Sequence, residues 1–181
     1  MVSTVWDWFI ENSQNCYKPG AYITADEQLF PSKTSCRFIQ YMPNKPDKFG
    51  IKFWLACDVN TKYIINGFPN LGKDERRENP IPLEKFVILK LMEPFTGCRR
   101  NVTTNNLFTS VSLATKLFAK KKKTVIVGTN HENKRKLPKI EKNRKDKMTL
   151  FSNKLYISNQ ISFTVYKCKP IKKGICAKFH A

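Results

Sequence analysis

At 181 residues with 41% hydrophobic content, the chain is long enough for one domain with a real core, and a disordered protein is excluded. The formal net charge is +19 and unevenly placed: residues 1–90 carry 12 Lys/Arg and 10 Asp/Glu, a net of +2, and residues 91–181 carry 21 and 4, a net of +17. A neutral half beside a strongly basic one predicts a folded body facing a polyanion, with phosphate backbones as the commonest partner; the basic half shows no clear amphipathic helix, which argues against an anionic membrane.

Val5, Trp6, Phe9 and Ile10 give residues 3–14 the spacing of a short amphipathic helix, which Pro19-Gly20 stops. Strands are predicted over 21–30 and 35–42, followed by a loop from Met42 to Lys48 stiffened by Pro43 and Pro46. Two further strands, 49–58 and 61–67, flank a turn at Asp58-Val59-Asn60. Residues 72–82 read as a polar loop, and Pro82 and Pro94 bracket a helix over 83–94. A short strand over 98–105, a helix over 110–121 that Ser110 can cap, and a buried strand over 124–128 complete a mixed α/β pattern. The character then changes. Residues 130–147 hold eight Lys/Arg and three Asp/Glu, and strand-like pieces resume at 149–151, 155–157, 161–166 and 175–177.

Six cysteines stand at 16, 36, 57, 98, 168 and 176, none in a C-x-x-C pair, and with only two histidines this argues against a zinc site. Met1 is followed by no signal-like segment and no apolar run is long enough to span a membrane, so the chain reads as intracellular with reduced thiols, and the Asn101-Val102-Thr103 sequon as unglycosylated.

Two segments bear on chemistry. The run Tyr22–Phe30 contains Asp26 near a strand end, and the similar run Asn101–Ser110 has the amide Asn105 where a second carboxylate would be useful. Two-metal nucleic-acid chemistry needs acids at strand ends, close enough to share cations. Read from the residues, Asp26 is either a Mg²⁺ ligand or a strand-end acid in a turn. Asn105 offers a neutral carbonyl oxygen but no charge, and Asn106 is also an amide. Asp58 is a possible substitute ligand in a predicted turn, and Glu27 is expected on the strand face opposite Asp26. Lys134, Arg135, Lys136 and Lys139, with the cations up to Lys147, form the best phosphate-contact stretch; a nuclear-import signal and a solvated loop are the other readings. Arg99 and Arg100 flank the Asn105 segment and are either DNA contacts or surface residues.

The chain resembles the piggyBac transposase family in Tyr17-Lys18-Pro19-Gly20, Asp26-Glu27-Gln28-Leu29 and the long run Tyr41-Met42-Pro43-Asn44-Lys45-Pro46-Asp47-Lys48-Phe49-Gly50-Ile51-Lys52. Further matches follow in order: Cys57-Asp58, Tyr63–Gly67, Leu71-Gly72, Arg100-Asn101, Phe108-Thr109-Ser110, Val127-Gly128-Thr129, Asn133-Lys134-Arg135 and Tyr166–Pro170. The resemblance implies a ribonuclease H-like core interrupted by a β-rich insertion, and cut-and-paste DNA transposition by three aspartates with Mg²⁺. It implies that Asp26 matches the first acid and that Asn105 occupies the position of the second. The third is expected beyond the insertion, inside which this chain stops. The expected division is a partial core over 1–129, a basic connection over 130–147 and the start of the insertion over 148–181. The chain departs from the family at Ser32-Lys33-Thr34-Ser35-Cys36, where an Arg-Gly-Arg stretch is usual, and His131 stands where basic residues are common. The combined expectation is an incomplete, degenerate transposase core in the nucleus. It would bind DNA non-specifically, act on no small-molecule substrate and carry an apolar face for a protein partner to cover. Two alternatives remain: a metal-dependent nuclease completed by another chain, and a decayed reading frame.

Overall fold

Alternating burial along Tyr22–Pro31 places Ile23, Ala25 and Leu29 in the core and leaves Asp26 and Phe30 exposed, the signature of a strand covered on one face. The computed structural model describes residues 2–72, 81–119, 124–130, 148–158, 161–169 and 173–179. They fall into two compact units, Met1–Pro94 and Phe95–Ala181.

In the first unit, helix α1 (Val2–Cys16) precedes strands β1 (Tyr22–Pro31), β2 (Ile39–Tyr41), β3 (Phe49–Asp58) and β4 (Ile64–Pro69), and helix α2 (Leu83–Met92) follows. All the pairings among these strands are antiparallel. β3 is the hub: β1 lies along one edge, from Ile23 opposite Asp58 to Pro31 opposite Gly50, and β2 and β4 share the other edge. Gly50 is required where it stands, because a Cβ there would collide with the backbone of Phe30. Trp6 of α1 stacks on Phe53 at 4.6 Å and donates its indole N–H to the Gly67 carbonyl at 3.0 Å. Phe53 and Gly67 point away from the face that carries Trp54, Ala56 and Asn66. On that second face the Asn66 amide donates to the Leu91 carbonyl at 2.9 Å, closing the last turn of α2. The sheet is therefore clasped by a helix on each side, with Ile23, Trp54, Ala56, Ile65, Val87 and Ile88 buried.

The second unit holds β5 (Asn101–Thr104), α3 (Val111–Ala119), β6 (Val125–Asn130), β7 (Asn153–Ser158), β8 (Ile161–Lys167) and β9 (Lys173–Phe179). β5 and β6 run parallel and α3 is the crossover between them; β6–β9, β9–β8 and β8–β7 are antiparallel. Val102, Leu113, Leu117, Ile126, Phe163, Val165 and Ala177 form its core.

Several predicted elements change length or type, and for three of them a local hydrogen bond gives the reason. The strand expected over 35–42 shrinks to β2 because the Ile39 N–H donates to the Cys36 carbonyl at 3.0 Å, making a turn of the preceding residues. The strand expected from 61 begins at 64, since the Asp58 turn occupies the intervening residues. Residues 149–151, expected as a strand, form a turn in which Phe151 takes a left-handed backbone (φ 60°) and the Ser152 hydroxyl donates to the Thr149 carbonyl at 2.6 Å.

Candidate active site

Asp26 sits mid-strand in β1 on an exposed position, opposite Leu55 of β3. Its Oδ1 accepts the backbone N–H of Glu27 at 2.8 Å. Partial burial raises its pKa above the ordinary carboxylate value; the Glu27 N–H pulls it back, the Glu27 carboxyl raises it further and Lys45 lowers it. Strand alternation sets Glu27 opposite Trp54, on the other face as expected, yet its carboxyl still acts on that of Asp26. Lys52 completes the group. Burial lowers its pKa first, Glu27 and Asp26 raise it, and its ammonium lies 4.0 Å from the Trp54 ring centroid. Lys45 and Lys52 were not legible as neighbours of Asp26, because only the β1–β3 register and the fold of the β2–β3 loop bring them there.

Asn105 follows β5 in the second unit. Its backbone carbonyl accepts from the Thr109 N–H at 3.2 Å and from the Thr109 hydroxyl at 2.7 Å. Its side-chain Oδ1 accepts from the N–H groups of Leu107 at 3.0 Å and Phe108 at 3.4 Å. The amide oxygen thus closes its own turn. Behind it the Thr104 and Thr109 hydroxyls meet at 2.9 Å, both buried. Because the Thr109 proton goes to the Asn105 carbonyl, Thr104 is the donor in that pair. Gly128 of β6 lies against both threonines, and a Cβ there would strike the Thr109 hydroxyl. Ser110 caps α3 as expected, its hydroxyl accepting the Leu113 N–H at 3.3 Å.

Asp58 is not a spare metal ligand. It is 1% exposed, with Oδ1 accepting from the N–H groups of Asn60 and Thr61 at 2.9 and 3.0 Å and Oδ2 from that of Gly20 at 2.8 Å. The Thr61 and Gly20 N–H groups hold its pKa below the ordinary 3.8, against the opposing effect of burial. Arg99 is exposed in a left-handed conformation (φ 49°), whereas Arg100 is only 6% exposed, with its guanidinium 5.4 Å from the Phe95 ring centroid. Buried there, Arg100 is not the surface residue that one of its two sequence readings makes it. Lys134, Arg135, Lys136 and Lys139 lie outside the described residues.

A model of the family described as transposase IS4 matches residues 2–180. The chain belongs to that family, as a piggyBac-like transposase. Its structure is similar to that of a piggyBac transposase solved by cryo-electron microscopy in a synaptic complex with hairpin DNA. The TM-score is 0.90 at 38% identity, over 98% of this chain and 37% of that one. The mixed α/β fold is thereby that of a partial ribonuclease H-like core. The chain spans little more than a third of the transposase it matches.

Transposases of this family work with divalent cations, and the donor set described here does not fit such a centre. Among the described residues, no three His, Cys, Asp or Glu side chains group closely enough to hold a metal ion. The Asn105 side-chain oxygen already accepts two backbone N–H groups. Asp26 and Glu27 offer oxygens on one strand alone, and Mg²⁺ sites ordinarily draw carboxylates from more than one element.

Proposed function

We propose that this piggyBac-like chain binds DNA without sequence preference through its basic half and does not itself carry out strand transfer. The net +17 of residues 91–181 supports the binding. Lysine and arginine neutralise phosphates whatever the bases, and each contact releases counterions. Asn105 supports the lack of strand transfer: an amide there removes a charge that two cations require, and losing two of three carboxylates costs roughly 10²–10³-fold or more in rate. The run Lys134-Arg135-Lys136 also has the composition of a nuclear-import signal, consistent with work on chromosomal DNA.

Electrophoretic mobility shifts with unrelated duplexes test the binding. Equal affinities that fall steeply with salt are expected, and binding that is absent at low salt, or indifferent to salt, overturns the proposal. Replacing Lys134, Arg135, Lys136 and Lys139 by alanine should weaken every duplex alike and flatten the salt dependence.

The exposure of Asp26 favours a second reading, a metal-dependent nuclease whose missing acids come from another chain. Mn²⁺-dependent nicking that disappears in Asp26→Ala supports it, and absence of cleavage with Mg²⁺ and Mn²⁺ eliminates it.

A further inference from the structure

The sheet register carries a feature that the basic half does not explain. Tyr41 and Phe49 stand directly opposite one another in the β2–β3 hairpin, 56% and 57% exposed, with ring centroids 4.9 Å apart. Phe30 of β1, 41% exposed, is opposite Ile51, which is itself opposite Ile39. Residues two apart on a strand share a face, so Tyr41, Phe49 and Phe30 lie on the same face of the sheet as Asp26. Phe30 is four residues from Asp26 along β1, about 13 Å at the rise of an extended strand.

Positive charge in the neutral half is uneven along the sequence. Residues 31–52 carry five Lys/Arg and one Asp, a net of +4. The remainder of residues 1–90 carries seven and nine, a net of −2. The sequence segment that carries the exposed aromatic pair is thus also rich in positive charge, and Arg37 and Lys48 within it are exposed. Rings that served only to cover apolar surface would need no such cations, whereas rings that stack bases need cations to track the accompanying phosphates.

The Phe30 ring packs edge-on against Phe53, which Trp6 of α1 covers, so the open rings of this face are Tyr41 and Phe49 at its far end. We propose that this end of the face is a seat for single-stranded nucleic acid: Tyr41 and Phe49 stack unpaired bases, while Arg37, Lys45 and Lys48 hold the phosphates. The site rests on the DNA-binding reading above and extends it, because aromatic faces take bases freed from a duplex and the basic half takes duplex backbone.

Fluorescence anisotropy of the full chain with a labelled thymidine homopolymer and a duplex of equal length separates the two. In Tyr41→Leu/Phe49→Leu, apolar area is kept and the π faces are lost. Single-strand affinity should fall about tenfold or more, with duplex affinity and thermal midpoint unchanged. A 5-bromodeoxyuridine strand should photocrosslink to Tyr41 or Phe49 in the wild-type protein, a readout that needs no variant to fold. Unaltered single-strand affinity in the leucine variant, equal loss for both DNA forms, or crosslinks that map elsewhere each overturn the site. Single-strand binding that persists where the wild type fails to bind duplex supports this site and overturns the broader reading.

Discussion

Asp58 joins two turns of the first unit through one buried carboxylate. Its carboxylate accepts three backbone N–H groups and stands within 3.3 Å of the Thr61 hydroxyl, tying Gly20 before β1 to the turn after β3. Removing a buried acceptor leaves its donors unsatisfied, so Asp58→Ala should lower the unfolding free energy by about 1–3 kcal/mol, read as a lower urea midpoint at unchanged slope. The pH dependence follows from the depressed pKa. The carboxylate's contribution is fully present above the unfolded value near 3.8 and is lost as pH falls through the lower folded value. Wild-type stability should therefore decline on acidification below about pH 4 more steeply than that of Asp58→Asn, as followed by urea unfolding at stepped pH. Asn105 makes the converse case. Asn105→Asp keeps an acceptor for the Leu107 and Phe108 N–H groups and makes both bonds charge-assisted, so the thermal midpoint should hold or rise. A drop of several degrees would show that the amide nitrogen has a structural task of its own.

At the scale of elements, close backbone approaches decide where the second unit tolerates change. Gly128 of β6 is pressed against the Thr104–Thr109 pair beneath the Asn105 turn, and Gly128→Ala should destabilise by about 1–3 kcal/mol through overpacking, measurable as a lower urea midpoint at unchanged slope. The elements themselves were largely legible. Pro82 sets the start of α2, Ser110 caps α3 with its hydroxyl, and Thr-Val-Ile-Val-Gly announces β6. Where the reading failed, local backbone bonds outweighed strand propensity: Cys36 to Ile39 closed a turn, and Phe151 entered a left-handed conformation that no β-favouring residue advertises. Register was not legible at all. The pairing of Tyr41 with Phe49, the approach of Lys52 to Asp26 and the burial of Arg100 depend on which strands meet and in what alignment. The weight given to Asp26 and Asn105 as site candidates comes chiefly from the resemblance, since an acid in a strand and an amide after one are ordinary in isolation.

For the whole molecule, charge makes opposite demands on stability and on binding. The +17 of residues 91–181 repels itself in the folded state, and screening relieves that repulsion: the Debye length contracts from about 10 Å at 0.1 M salt to about 3 Å at 1 M. Folding should therefore be strengthened by sodium chloride. The same ions compete for the phosphates. If the basic half neutralises six of them, affinity for duplex DNA should fall by roughly 10³-fold between 50 and 200 mM. Thermal midpoint and duplex affinity, measured on one preparation across one salt series, should thus move in opposite directions. DNA should also stabilise the fold most at low salt, where it acts both as a ligand of the native state and as the counterion that the basic half lacks. A thermal midpoint that falls together with affinity as salt is added would mean that the basic residues are held by internal acidic partners rather than left for a polyanion. With only four Asp/Glu in residues 91–181 against 21 Lys/Arg, that half has too few acids of its own to supply them.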